Sequence, residues 1–187
     1  EIDADVRADR MSELLKVDHL PDLPDDETVS RTIEVFRSIG WGQQQFGPRA
    51  LGPYIISMTQ GADDILSVLF LARAAGLVAA EGWVTLDIPP LLETVGDLKH
   101  GEVILKRLFT DPLYKAHLTS RGKRQIIMVG YSDSNKDAGL VSARWALATA
   151  QTQLAQLARD HGVNPVFFHG RGGTVSRGGG NFVGGIL

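Results

Sequence analysis

Short apolar runs alternate with longer amphipathic segments along most of this 187-residue chain. The stretch 54–58 (YIISM), rich in β-branched residues and bounded by Pro53 and Gly61, predicts a buried strand. A helix follows over 61–75, with Ile65, Val68, Leu69 and Ala72 on one face. Asp63 and Asp64 sit at its positive end and Gly76 lies just past its stop. The run 83–92 (WVTLDIPPLL) predicts a second strand, shortened by Pro89 and Pro90. Helices are expected over 97–109 and 112–119, and QIIMVGY (125–131) reads as a third strand. The longest helix is expected from about 137 to 161, because Leu140, Ala143, Leu147, Ala150, Leu154 and Leu157 recur at alternating spacings of three and four. Ser134 and Asp137 have the spacing of a capping box at its start. VNPVFFH (163–169) is the fourth strand, followed by a glycine-rich tail.

The first 45 residues behave differently. They form an acidic lead-in, with a short helix over 11–17, a proline-containing loop and a helix over 29–39. Val29, Ile33, Val35 and Phe36 are its expected core contacts, and Gly40, Gly42 and Gly47 are expected to break the chain. Residues 46–180 carry the alternating strands and helices, and 181–187 form an irregular tail. Strand–helix alternation predicts an α/β fold with parallel pairing through right-handed crossovers. Two arrangements satisfy it: a doubly wound open sheet, or a partial (β/α)8 TIM-type barrel of about four parallel β/α units. A full barrel takes about 250 residues, so the second arrangement would make this chain roughly half of one.

Composition narrows the chemistry. With no cysteine, a disulfide framework, a thiolate metal site and cysteine catalysis are all excluded. The sequence lacks an apolar run of about 18 residues, and its N-terminus is acidic, so neither a membrane span nor a secretory signal is expected. A cytoplasmic setting follows as the expectation. The net charge of −3 conceals an asymmetry: residues 1–30 hold ten acidic residues against three basic, whereas 121–187 hold eight basic against three acidic. The basic half suits an anionic ligand carrying phosphate or carboxylate.

In either arrangement the functional edge is formed by the carboxyl ends of the strands. Glu93 ends the second strand, and Gly130-Tyr-Ser-Asp-Ser-Asn-Lys136 follows the third. His169-Gly-Arg171-Gly172-Gly173-Thr-Val-Ser-Arg177 follows the fourth. Glu93 and Asp133, on successive strand ends, suit a hard divalent cation such as Mg2+ or Mn2+, which favours carboxylate oxygens. The glycine-rich loop is not a Walker A motif, because no Gly-Lys-Ser/Thr follows, and it lacks dinucleotide-fingerprint spacing. RNA-binding RGG segments need many repeats in a disordered context, so no nucleic-acid partner is expected. An anion cradle remains, in which glycines allow close backbone approach and Arg171 and Arg177 supply forked donors. Ser132 and Ser134 lie outside any nucleophile elbow, which argues against a hydrolase triad. His100, His117 and His161, on or near helix ends, and His19 in the acidic loop are expected at the surface. His169 differs, since it ends an apolar strand beside two arginines that favour its neutral, proton-exchanging form.

These motifs resemble a known family. MVGYSDSNKDAGLVSARWALATAQ followed by FHGRGGTVSRGGG is similar to the two central signatures of phosphoenolpyruvate carboxylase. YIISMTQGADDILSVLFLARAAGL and IPPLLETVGDL resemble the same family in the same order, and Asp5-Val-Arg7 matches its Asp-Ile/Val-Arg stretch. The resemblance covers about residues 46–180 and implies a (β/α)8 barrel that joins phosphoenolpyruvate to bicarbonate, giving oxaloacetate and phosphate with Mg2+ or Mn2+. It implies Glu93 and Asp133 as metal ligands, and Arg171 and Arg7, with Gly172 and Gly173, as the phosphate site. His169, Arg177 and Lys136 are implied for the bicarbonate and carbon dioxide steps. A homo-oligomer, tetrameric in the family, is implied as well. Family chains are several times longer, so the chain by itself is expected to be inactive. Ser176 stands where the family has glycine, and NFVGGIL departs from its proline-containing continuation. A non-catalytic anion-binding or assembly module derived from the family is the competing expectation, and another phosphoenolpyruvate- or pyruvate-using barrel enzyme is a third.

Overall fold

The fold is described from a computed structural model and covers residues 2–17, 20–130 and 140–170. Among these residues the elements run α1 (Ala4–Lys16), α2 (Glu27–Phe46), α3 (Ala62–Ala74), β1 (Leu91–Leu92), α4 (Val95–Thr110), α5 (Pro112–Ser120), β2 (Arg124–Gly130), α6 (Leu140–Asp160) and β3 (Asn164–Gly170). The three strands form one parallel sheet in the order β1-β2-β3. Both sequential neighbours therefore pair through helical crossovers, as alternation of strand and helix requires.

The first expected strand survives only as a single parallel bridge between Ile56 and Pro90. The second is two residues long rather than ten. Pro89 and Pro90 carry no N–H, so the ladder begins where Pro90 lends its carbonyl to the Met128 N–H at 2.9 Å. Residues upstream turn back on themselves through an antiparallel bridge, Val78 to Val84. Helix α2 also corrects the expectation: it continues through Gly40 and Gly42 to Phe46. Gly42 is buried there, and a Cβ on it would lie 3.1 Å from Leu51 Cδ1, so this glycine makes room for a neighbour instead of ending a helix. The stop is Gly47, at φ +92°. Ile33 and Phe36 are buried as expected, while Val35 is exposed.

Helix starts follow local chemistry. Asp3 caps α1, Asp26 caps α2, and Asp111 caps α5 by accepting from Leu113 and Tyr114. Thr94 and Asp97 form a reciprocal capping box on α4. The Ser134–Asp137 capping box expected before α6 lies outside the described residues. Helix α1 packs on α3, and α4 packs on α6. The core gathers Phe36, Ile65, Leu66, Leu92, Leu105, Leu108, Phe109, Ile127, Val129 and Leu154, all nearly inaccessible.

The two faces of the sheet are unequal. Gln125, Ile127 and Val129 of β2 are buried under the helices. On the opposite face Ile126 and Met128 are half-buried, while Val166 and Phe168, their register partners, are 41% and 49% exposed. This face is therefore the more open and the more apolar of the surfaces the sheet presents to its surroundings.

Candidate active site

Glu93 directly follows β1 and stands beside the end of β2. The approach is close enough that a Cβ on Gly130 would lie 3.0 Å from Glu93 Cα, which explains glycine at this strand end. Asp133 emerges from that end three residues later. It lies outside the described residues, as do Lys136, Arg171, Gly172, Gly173 and Arg177.

One oxygen of Glu93 accepts the Met58 N–H at 3.1 Å. Met58 adopts a left-handed conformation, φ +55°, and its neighbour Thr59 is buried with its hydroxyl accepting the Leu91 N–H at 3.2 Å. The segment leading from the Ile56 bridge into α3 is thus tied to β1 from both sides. At its other end, Asp64 caps α3 by accepting from the N–H groups of Gln60 and Gly61. Asp63 is buried and receives Nε of Arg7 on Oδ2 at 2.7 Å, while Nη1 of Arg7 donates to the Ile2 carbonyl. Seven residues, 58–64, therefore touch Glu93 at one end and Arg7 at the other. The sequence singled out Glu93 and Arg7 separately, but the bracket between them was not foreseen. Its one visible signal was the Asp63-Asp64 pair, read as a helix-dipole feature.

His169 lies at the same end of the sheet, in register with Val129 and hence on the helix-covered face. Its Nε2 is 3.1 Å from Nε2 of Gln151 on α6. An amide nitrogen only donates, so this contact uses His169 Nε2 as acceptor and places the ring proton on Nδ1. Glu93, opposite Gly130 in the ladder sequence, falls on the open face. The two residues share a strand-end level but not a face.

The titratable groups that burial shifts most lie at the other end of the sheet. Asp87 is gripped by Arg121 Nε at 2.9 Å and by Arg124. Burial raises its affinity for a proton, but the bonds and charges of the two arginines outweigh this and hold its carboxyl below the usual range. Tyr114 is buried with its hydroxyl donating to Gln125 at 2.8 Å, and burial pushes its phenol well above the usual range. His117 was expected at the surface and is 2% exposed. It falls on the inward stripe of α5 with Tyr114 and Leu118, a spacing of three and four that was readable from the sequence. Burial, together with the charge of Arg121 and partly offset by Asp87, lowers it to about 4.

Glu93 presents a hard oxygen donor, and the root of Asp133 lies three residues from the adjoining strand end, a reach of about 10 Å. This donor chemistry fits a divalent cation. Among the described residues no cluster of three or more His, Asp or Glu is present that would hold a metal unaided. Among them, too, no helix is long and apolar enough to cross a membrane.

Comparison with known proteins places this arrangement in context. The family model for phosphoenolpyruvate carboxylase matches residues 7–187, from Arg7 through the glycine-rich tail. A phosphoenolpyruvate carboxylase of Xanthomonas oryzae is 50% identical over 155 residues, 83% of this chain and 17% of that protein. Those of Gloeobacter violaceus and Corynebacterium glutamicum are 48% and 45% identical over 85% and 82% of the chain, again 17% of each relative. The chain belongs to the phosphoenolpyruvate carboxylase family, and it spans about 17% of the length of the curated relatives it matches.

Proposed function

We propose that this chain forms part of the catalytic core of an enzyme that joins phosphoenolpyruvate to bicarbonate, giving oxaloacetate and inorganic phosphate. The observation that carries this reading is the convergence of Glu93 and Arg7 on one bracket, residues 58–64, beside the strand end from which Asp133 emerges. Family membership supplies the reaction. The half-exposed apolar face bearing Met128, Val166 and Phe168 supports a (β/α)8 barrel completed by further strands, whose inner side this face would line.

In this reading Glu93 and Asp133 hold Mg2+ or Mn2+, which when bound neutralises negative charge on the reacting oxygens. Arg7, Arg171 and the Gly172-Gly173 backbone bind the phosphoryl group by forked and backbone donors. A bicarbonate oxygen attacks phosphorus, the enolate of pyruvate leaves, and carboxyphosphate forms. Carboxyphosphate then passes its proton to the departing phosphate and releases carbon dioxide, which C3 of the enolate attacks to give oxaloacetate. Arg177 and Lys136 offset the charge that accumulates on carboxyphosphate and enolate. His169 stands near the end of β3, its ring oriented by Gln151, two residues before Arg171 and the glycine-rich loop. Exclusion of water by the loop retains carboxyphosphate and carbon dioxide until the carbon–carbon bond forms. The enzyme acts in the cytoplasm as a homo-oligomer.

Calorimetric titration of phosphoenolpyruvate with and without Mg2+ tests the reading. Divalent-dependent binding that is lost in Asp133→Asn is expected. Metal-independent binding of assorted phosphates, unchanged in that variant, would favour a non-catalytic anion-binding module.

A further inference from the structure

Two adjacent aspartates open α3, and the structure divides their work. Asp64 does the capping, accepting from Gln60 and Gly61. Asp63 does none of it. Its carboxylate is 4% exposed, binds Arg7 Nε through Oδ2, and leaves Oδ1 without a hydrogen-bond partner among the described residues. A buried carboxylate oxygen in that condition costs stability, so a purely structural role explains it poorly. Gly61 makes the space for it: a Cβ there would lie 2.1 Å from Oδ1.

Arg7, by contrast, is a long side chain whose surface is 44% exposed, on a helix 56 residues away in sequence. Left to itself it would sample many rotamers. Bonds from Nε to Asp63 and from Nη1 to the Ile2 carbonyl fix two points of a planar group and so fix its plane. The bracket that carries Asp63 is the same one whose Met58 N–H holds Glu93.

We infer that Asp63 is a positioning residue for phosphoenolpyruvate recognition: it orients the Arg7 guanidinium toward the substrate phosphoryl group and sets its register relative to Glu93. This rests on the reading of Arg7 as a phosphate ligand. The mechanism assigns Asp63 no contact with substrate, so its effect is to be read through Arg7.

The test uses a full-length carboxylase in which this segment replaces the host's own counterpart, with phosphoenolpyruvate binding measured by calorimetry alongside turnover. Asp63→Asn is expected to raise KM and Kd for phosphoenolpyruvate roughly tenfold, the scale of one charge-assisted hydrogen bond. KM for bicarbonate should hold, and kcat should fall less than KM rises. Asp63→Glu should recover part of the loss, and Asp63→Asn should add nothing in an Arg7→Gln background. Unchanged phosphoenolpyruvate affinity in Asp63→Asn while Arg7→Gln weakens it would overturn the inference and leave the Arg7 reading standing. Additive effects of the two substitutions, or a lowered Tm with no change in Kd, would also overturn it. Unchanged affinity in Arg7→Gln would remove the reading on which it rests.

Discussion

At the N-terminal ends of the strands, Asp87 is clasped by Arg121 and Arg124, Tyr114 donates to Gln125, and His117 is buried against them. At the C-terminal ends, Glu93 is steadied by a backbone N–H from Met58, and Arg7 is aimed by Asp63. Both ends contain charged groups, yet they are put to different uses. In the first set Asp87 and Tyr114 find their partners within the fold while His117 Nδ1 has none among the described residues, and the shifted proton affinities are consequences of burial and pairing. The second set is braced from behind, with its partners coming from one short bracket. Perturbed titration behaviour thus gathers at one end of this sheet, and close bracing of Glu93 and Arg7 at the other.

Acid is expected to break the first end most visibly. His117 is lowered to about 4 from an ordinary value of 6.5, so between those two values the unfolded chain binds a proton that the folded chain refuses. The stability that neutral His117 preserves is complete above pH 6.5 and is lost as pH falls toward 4, to a total on the order of 3 kcal/mol. Urea unfolding at pH 7 and pH 4.5 measures it. His117→Leu should flatten that slope, and an unchanged slope would remove His117 as its source.

A smaller effect is expected from Asp87→Asn. Its pKa is held down in the fold, so its contribution is present above the ordinary value of 3.8 and disappears as pH falls below it, a window distinct from that of His117. Because Arg121 and Arg124 are partly exposed, solvent screens the pairs, and a loss of about 2 kcal/mol at pH 7 is expected. Equal stability of Asp87→Asn and the parent chain in urea would show that the clasp contributes nothing.

Much of this architecture was legible in the sequence where periodicity was strong. Helices α3 to α5, strand β2 and strand β3 fall within one or two residues of their expected bounds; the helices and β2 each bury a stripe or a face whose spacing is written in apolar residues, and β3 is marked by its run of Val and Phe. Strand β1 is shorter than the run 83–92, because the missing N–H groups of Pro89 and Pro90, noted in the sequence, restrict the ladder to Leu91 and Leu92. Helix α2 was cut short because a glycine that admits a neighbour, as Gly42 admits Leu51, reads like a glycine that ends a helix. The place of Glu93 directly after a strand was legible from its position at the end of an apolar run. Its link to Arg7 was not, since pairing between residues 7 and 63 depends on how α1 docks on α3, and that leaves no local pattern.

We propose that the C-terminal strand ends hold a divalent cation between Glu93 and the Asp133 loop, and Mn2+ titration followed by electron paramagnetic resonance reads this directly. The parent chain should quench the free-ion signal. Glu93→Gln and Asp133→Asn should each weaken binding by about tenfold or more, while Glu93→Gln changes folding stability by no more than about 0.5 kcal/mol. Absence of Mn2+ binding by the parent chain, or equal binding by parent and both variants, would contradict the account.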